Sequence, residues 1–108
     1  MKLYTSNEQT AKLIELGFEK PKSEVKAEQA GDCAWYNPAY SIGELLSFLP
    51  PIIPNGRGYY INITHDSISW VIDYKQHGDT QYKYIVSDVE LIDAIFAMIL
   101  KLKEEGVI

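Results

Sequence analysis

The chain has 108 residues, ten of them Lys or Arg and fifteen Asp or Glu, for a net charge of −5; 46% of residues are apolar and 23% charged. That length and mixture suit one α+β module able to bury a hydrophobic core unaided, and exclude the polar composition of a disordered chain. Direct nucleic-acid binding is also unlike this sequence, which has one arginine, Arg57, and scattered lysines where phosphate contacts need clustered cations. The acids fall mostly singly among apolar residues, which is a poor match to an acidic mimic of DNA. A single cysteine, Cys33, allows no internal disulfide and is expected as a small buried hydrophobe in a reducing compartment. The first residues carry no apolar leader, and the longest apolar run, 94–100, is too short to cross a bilayer, so the chain reads as cytoplasmic.

In chain order, Ser6 with Gln9 three residues on has capping-box form and starts a helix over about 7–16, closed by Gly17. The charged, Pro21-interrupted stretch 18–31 reads as a mobile connector. Cys33 to Tyr36 form a short edge strand that Asn37-Pro38 turns aside. Ser41 and Glu44 make a second capping box, and Ile42, Leu45, Leu46, Phe48 and Leu49 line a helix stopped by Pro50-Pro51. Ile52 and Ile53, set between prolines, either tuck under a sheet or meet a partner.

From Tyr59 the period changes to two. Tyr59, Ile61 and Ile63 share one face of a strand, with Tyr60, Asn62 and Thr64 on the other. His65-Asp66-Ser67 makes a tight turn. The next strand aligns Ile68, Trp70, Ile72 and Tyr74, and a third presents Tyr82, Tyr84 and Val86. Asp73 is expected on a solvated outer face with Asn62, Thr64, Lys83 and Ile85. Ser87 with Glu90 forms a third capping box that opens a long helix to about Glu105, before Gly106. The architecture expected is therefore α+β: two short N-terminal helices, a three-stranded antiparallel meander open to a fourth strand near Trp35, and a long C-terminal helix on one sheet face.

The ordered phrases SNEQTAKLIELGFEKP, AYSIGELLSFLP, SISWVIDY and ELIDAIFAMILKLKEEG together resemble small uncharacterised proteins encoded in bacterial prophages and other mobile elements. The resemblance implies a cytoplasmic accessory protein and brings no activity, cofactor or functional residue with it.

No catalytic, cofactor-binding or metal-ligating set is nominated. His65 and His77 flank one strand at opposite ends, too far apart to share a metal, and the HExxH, CxxC, GxGxxG and GxSxG motifs are absent from the sequence. The expected role is protein–protein contact, with Tyr40 and Tyr60 as aromatic anchors and Ile52, Ile53 and Arg57 in the loop beside them. The rival is an enzyme or ligand-binding domain with a pocket between the 50–58 loop and the sheet, and a third reading is a weak nucleic-acid-binding module using lysines on a sheet face. The last helix is apolar around more of its circumference than one sheet face needs. Leu91, Ala94 and Met98 therefore point sideways, toward the N-terminal helices or toward a second copy in a homodimer. In the homodimer, Met98→Glu would weaken association and spare the fold.

Overall fold

The computed structural model describes residues 1–30, 33–54, 56–76, 78 and 81–108, with 27–30 and 33–35 described by backbone alone. The elements run α1 (Asn7–Glu15), β1 (Ser23–Ala30), β2 (Cys33–Ala39), α2 (Ile42–Phe48), β3 (Ile52–Ile53), β4 (Tyr59–His65), β5 (Trp70–Lys75), β6 (Tyr82–Asp88) and α3 (Leu91–Glu104). They build two antiparallel sheets, a hairpin β1-β2 and a four-stranded sheet β3-β4-β5-β6.

Both N-terminal helices start as their caps dictate. The Ser6 hydroxyl accepts from the Gln9 amide while Gln9 Oε1 accepts from the Ser6 amide, and Ser41 and Glu44 repeat the arrangement at α2. Gly17 sits at φ 94° just past α1, where a side chain would be strained. The third expected cap does not form. Ser87 belongs to β6, paired with Val71, and α3 starts after Glu90 with no side-chain cap. The Glu90 carboxylate is engaged elsewhere, accepting from the Lys2 amide at 2.9 Å.

α3 lies against β5 and β6, with α2 beside it. Ile92, Ile95, Ile99 and Leu102 are wholly buried, and they join Ile72 and Tyr74 of the sheet in one continuous core. Ala94 and Met98 are equally buried, in the same cluster as Leu13 of α1 and Leu45 of α2. The breadth of apolar surface on α3 is thus used within its own chain: the sheet takes one side and the small helices the other. Of the two directions expected for Ala94 and Met98, toward the N-terminal helices or toward a second copy, the structure takes the first.

The stretch expected as a mobile connector is in part a strand. Residues 23–30 pair with 33–39, from Ser23 opposite Ala39 to Ala30 opposite Cys33, with a register shift between Lys26 and Glu28. The strand at Trp35 accordingly joins β1 and not the meander, and Pro38 continues it instead of turning it aside. The backbone explains why proline is tolerated there. Tyr40 directs both its N–H and its C=O to Thr5, so by strand parity position 38 also faces away from β1 and no ladder donor is lost. The fourth strand of the main sheet comes from the isoleucine pair: Ile52 lies opposite Tyr60 and Ile53 opposite Tyr59.

One turn and one strand pairing differ from expectation. β5 starts at Trp70, and Ile68 lies in the preceding turn with 76% of its surface exposed. Asp66 lengthens that turn by accepting from the Ile68 amide at 2.9 Å and the Ser69 amide at 2.7 Å. In β6 the register shifts at the Tyr74–Lys75 pair, so that Tyr84 opposes Tyr74 and Tyr82 opposes Lys75. Lys83 is the extra residue. Its amine reaches the rings of Tyr59 and Tyr84, 5.8 and 5.9 Å from their centroids, instead of joining the outer face.

Candidate functional site

The eight residues singled out from the sequence divide sharply. Tyr40, Ala94 and Met98 have no exposed surface and Ile53 is 8% exposed; these four are core. Tyr40 runs inward, its ring edge-on to Phe48 at 5.5 Å and its hydroxyl donating to the Glu19 carbonyl. Burial, with the charges of Glu44 and Glu19 nearby, raises its pKa. An aromatic residue before a helix cap is therefore no guide to exposure, and the reading of Tyr40 as a surface anchor is corrected. Leu91 is half-buried, whereas Ile52, Arg57 and Tyr60 are exposed.

Alternation along the strands brings the exposed members together. Tyr60, Asn62 and Thr64 of β4, Val71, Asp73 and Lys75 of β5, and Tyr82, Ile85 and Ser87 of β6 share the face turned away from the core, and Ile52 of β3 extends it. Four large apolar side chains on this face stay open to solvent: Ile52 at 45%, Tyr60 at 44%, Tyr82 at 48% and Ile85 at 51% exposure. Lys75 places its amine 5.4 Å from the centroid of the Tyr82 ring, adding a cation to the rim.

At the centre of the face sits Asp73, between Asn62 and Ile85 in register. It was expected to be solvated and is only 5% exposed, walled in by its cross-strand neighbours. Asn62 Nδ2 donates to its Oδ1 at 3.3 Å, which meets the requirement that a buried carboxylate keep a hydrogen-bond donor. Tyr82 and Ile85 are not candidates by sequence; cross-strand register, which sets Tyr82 opposite Lys75 and Ile85 opposite Asp73, is not encoded in any one segment.

The groups considered for chemistry have other occupations. His65 lies against Trp70 with ring centroids 4.6 Å apart. The Asp66 carboxyl is held below its usual range by the Ile68 and Ser69 amides, then by the Ser69 hydroxyl and the charge of His65. It serves the turn and does not orient an imidazole. His77 and Asp79 lie outside the described residues, as does the side chain of Cys33. Among the described residues no three His, Cys, Asp or Glu side chains converge as metal ligands. No helix among them is long and apolar enough to cross a membrane.

A cleft of about 490 Å³ is lined by Lys12 and Leu16 at the end of α1 and by Leu100, Lys103 and Glu104 at the end of α3. Its lysines stand at the C-terminal ends of two helices, where cations offset the exposed carbonyls. Lys103 also lies 5.5 Å from the Phe18 ring centroid. No family model, curated protein or solved structure matches the chain.

Proposed function

We propose that this chain is a small accessory protein, of the kind encoded by mobile elements, that acts by binding another protein through the outer face of its four-stranded sheet. The observation behind this reading is the exposure of Ile52, Tyr60, Tyr82 and Ile85 together on one face of a sheet whose other face is filled by α3. Grouped large apolar side chains with a polar rim are the usual composition of an interface, and tyrosine contributes wide contact area with little rotamer entropy to lose. Asn62, Thr64, Lys75 and Ser87 supply the polar rim.

A photo-crosslinking side chain placed at Tyr60 or Ile85, and at Glu8 on α1 as a control, tests the reading in cells that carry the protein. Tyr60 and Ile85 should each yield a discrete adduct that is competed by the unlabelled chain and lost with Ile52→Asp. Adducts of equal yield at Glu8, or none at the sheet positions, would remove the outer face as the binding surface.

A further inference from the structure

We infer that the partner bound by the outer sheet face presents an arginine, whose guanidinium docks on the Asp73 carboxylate against the Tyr60 ring. The inference rests on the outer-face reading above and adds the chemistry that the partner must carry. Asp73 is only 5% exposed, yet it belongs to the outer face, between Asn62 and Ile85 in register. A carboxylate offers about four acceptor sites on its two oxygens. Among the described residues one donor meets them, Asn62 Nδ2, at 3.3 Å from Oδ1, longer than the usual ~2.9 Å. Oδ2 has no donor among them, and it is not sealed inside, since none of their side-chain oxygens or nitrogens is both fully buried and without a partner. The carboxylate is thus largely removed from water, short of donors, and open through one oxygen toward whatever covers the face.

No cation of the described residues stands on it. Their ion pairs are Lys2 with Asp93 and Lys101 with Glu105, and Lys75, two residues further along β5, holds its amine over the Tyr82 ring. A guanidinium suits the vacant acceptors because its parallel N–H groups can reach both oxygens of one carboxylate. Tyr60 lies opposite Lys75, one row from the Asn62–Asp73 pair. That makes it a diagonal neighbour of Asp73, about 7–8 Å away, within reach of a side chain seated there. A guanidinium stacks on such a ring, and an ammonium is more strongly hydrated and does not. Ile85 beside Asp73 and Ile52 beside Tyr60 receive apolar neighbours of the arginine. The net charge of −5 favours a basic partner, whereas a nucleic acid would set phosphates against the carboxylate.

The probes are a short capped peptide with arginine between two leucines and its counterparts with lysine or with citrulline, which keeps the shape and loses the charge. Amide-resolved NMR titration reports where and how tightly each binds. The arginine peptide should shift the Asn62 side-chain NH₂ and the Ile85 amide, and should bind at least about tenfold more tightly than the citrulline peptide. Asp73→Asn should cancel that preference. Asparagine still accepts from Asn62 and puts no charge out of water, so the variant should keep the parent's urea midpoint or exceed it. Equal binding of all three peptides, or an arginine preference that survives Asp73→Asn, would overturn the inference; lysine binding as tightly as arginine would overturn the guanidinium. Should Asp73→Asn fail to fold, the peptide comparison on the parent chain decides. Crosslinking at Tyr60 and Ile85 separates this inference from the reading beneath it. Adducts undiminished by Asp73→Asn keep the outer face as a binding surface and refute the arginine, whereas arginine-specific shifts without any cellular adduct support the Asp73 site and count against the outer-face partner.

Discussion

The four-stranded sheet and the β1–β2 hairpin are both antiparallel and, the two-residue β3 aside, have strands of similar length, yet different forces hold them. The sheet is stabilised by burial: Ile72 and Tyr74 lie wholly inside against Ile92, Ile95, Ile99 and Leu102. Among its described residues the hairpin is fastened by polar groups at its root, the Thr5 hydroxyl on one strand and the Glu44 carboxylate on the other. Thr5 belongs to a directed chain. The Tyr40 amide donates to Thr5 Oγ1, and Thr10 donates to the Ser6 carbonyl, so the 2.7 Å contact between the two threonine hydroxyls must run from Thr5 to Thr10. Apolar burial scales with area and tolerates local loss, whereas a polar anchor fails when one partner is removed.

Met98→Glu should give the largest effect. It puts a carboxylate among wholly buried apolar side chains, at a cost of about several kcal/mol, and should abolish cooperative folding by near-ultraviolet circular dichroism. A folded, merely monomeric variant would show that α3 has a free face. Ile95→Ala, in the same layer, should lower stability to urea by about 2–5 kcal/mol without changing the fold. A smaller loss would mean that the core can collapse around the gap.

Thr5→Val tests the other kind of support. It strands the Tyr40 amide and should cost about 1–3 kcal/mol, with exchange at Asn37 rising more than exchange at Asp73. Equal rises would join the two regions into one cooperative unit.

Acid acts on the polar fastenings first. Burial pushes the Glu44 carboxyl up, but hydrogen bonds from Ser23, Lys22 and Ser41 outweigh it and leave the pKa lowered. At Asp93 burial is likewise outweighed, by Lys2 and Gln9, which both reach Oδ1 at 2.8 Å. Groups lowered in the fold contribute stability above their unfolded values, ordinarily 4.5 and 3.8, and that contribution is lost as pH falls through the lowered native values. Root amides should therefore lose protection in acid before those of the main sheet.

Alkali acts on the core. The Tyr74 hydroxyl donates to the Pro50 carbonyl at 2.7 Å, and burial raises its pKa from 10.0 to about 12. An acid kept protonated by the fold favours the native state below its unfolded value, so stability should fall as pH rises above 10.0 and be fully lost to this group beyond about 12. The smallest effect belongs to Lys101→Ala, which removes an exposed 3.5 Å pair with Glu105 and should shift stability by no more than about 0.5 kcal/mol in either region.

Local chemistry was sufficient for part of this fold. The capping boxes at Ser6 and Ser41, the stops at Gly17, Pro50 and Gly106, and the alternation of Tyr59 to Thr64 and of Trp70 to Tyr74 each act within a few residues and are read correctly from the sequence alone. The register shift beside Lys75, by contrast, turns Tyr82 to the outer face, away from Tyr84 and Val86. Where a segment's state depends on a distant partner, the sequence misleads. Residues 23–30 have no apolar pattern because they are ordered by cross-strand bonds to β2 and by Glu44, and Ser87 cannot cap α3 because it lies within β6, three residues before the helix's N-cap Glu90. Burial is likewise decided from outside the segment. Tyr40 and Tyr60 look alike in sequence, but Thr5 and Phe48 enclose one, while the other stands on a sheet face that is opposite the core. The outer face was legible as alternation, and its candidate site was not, because Ile52, Tyr60, Tyr82 and Ile85 come from three strands whose relative register only the tertiary structure sets.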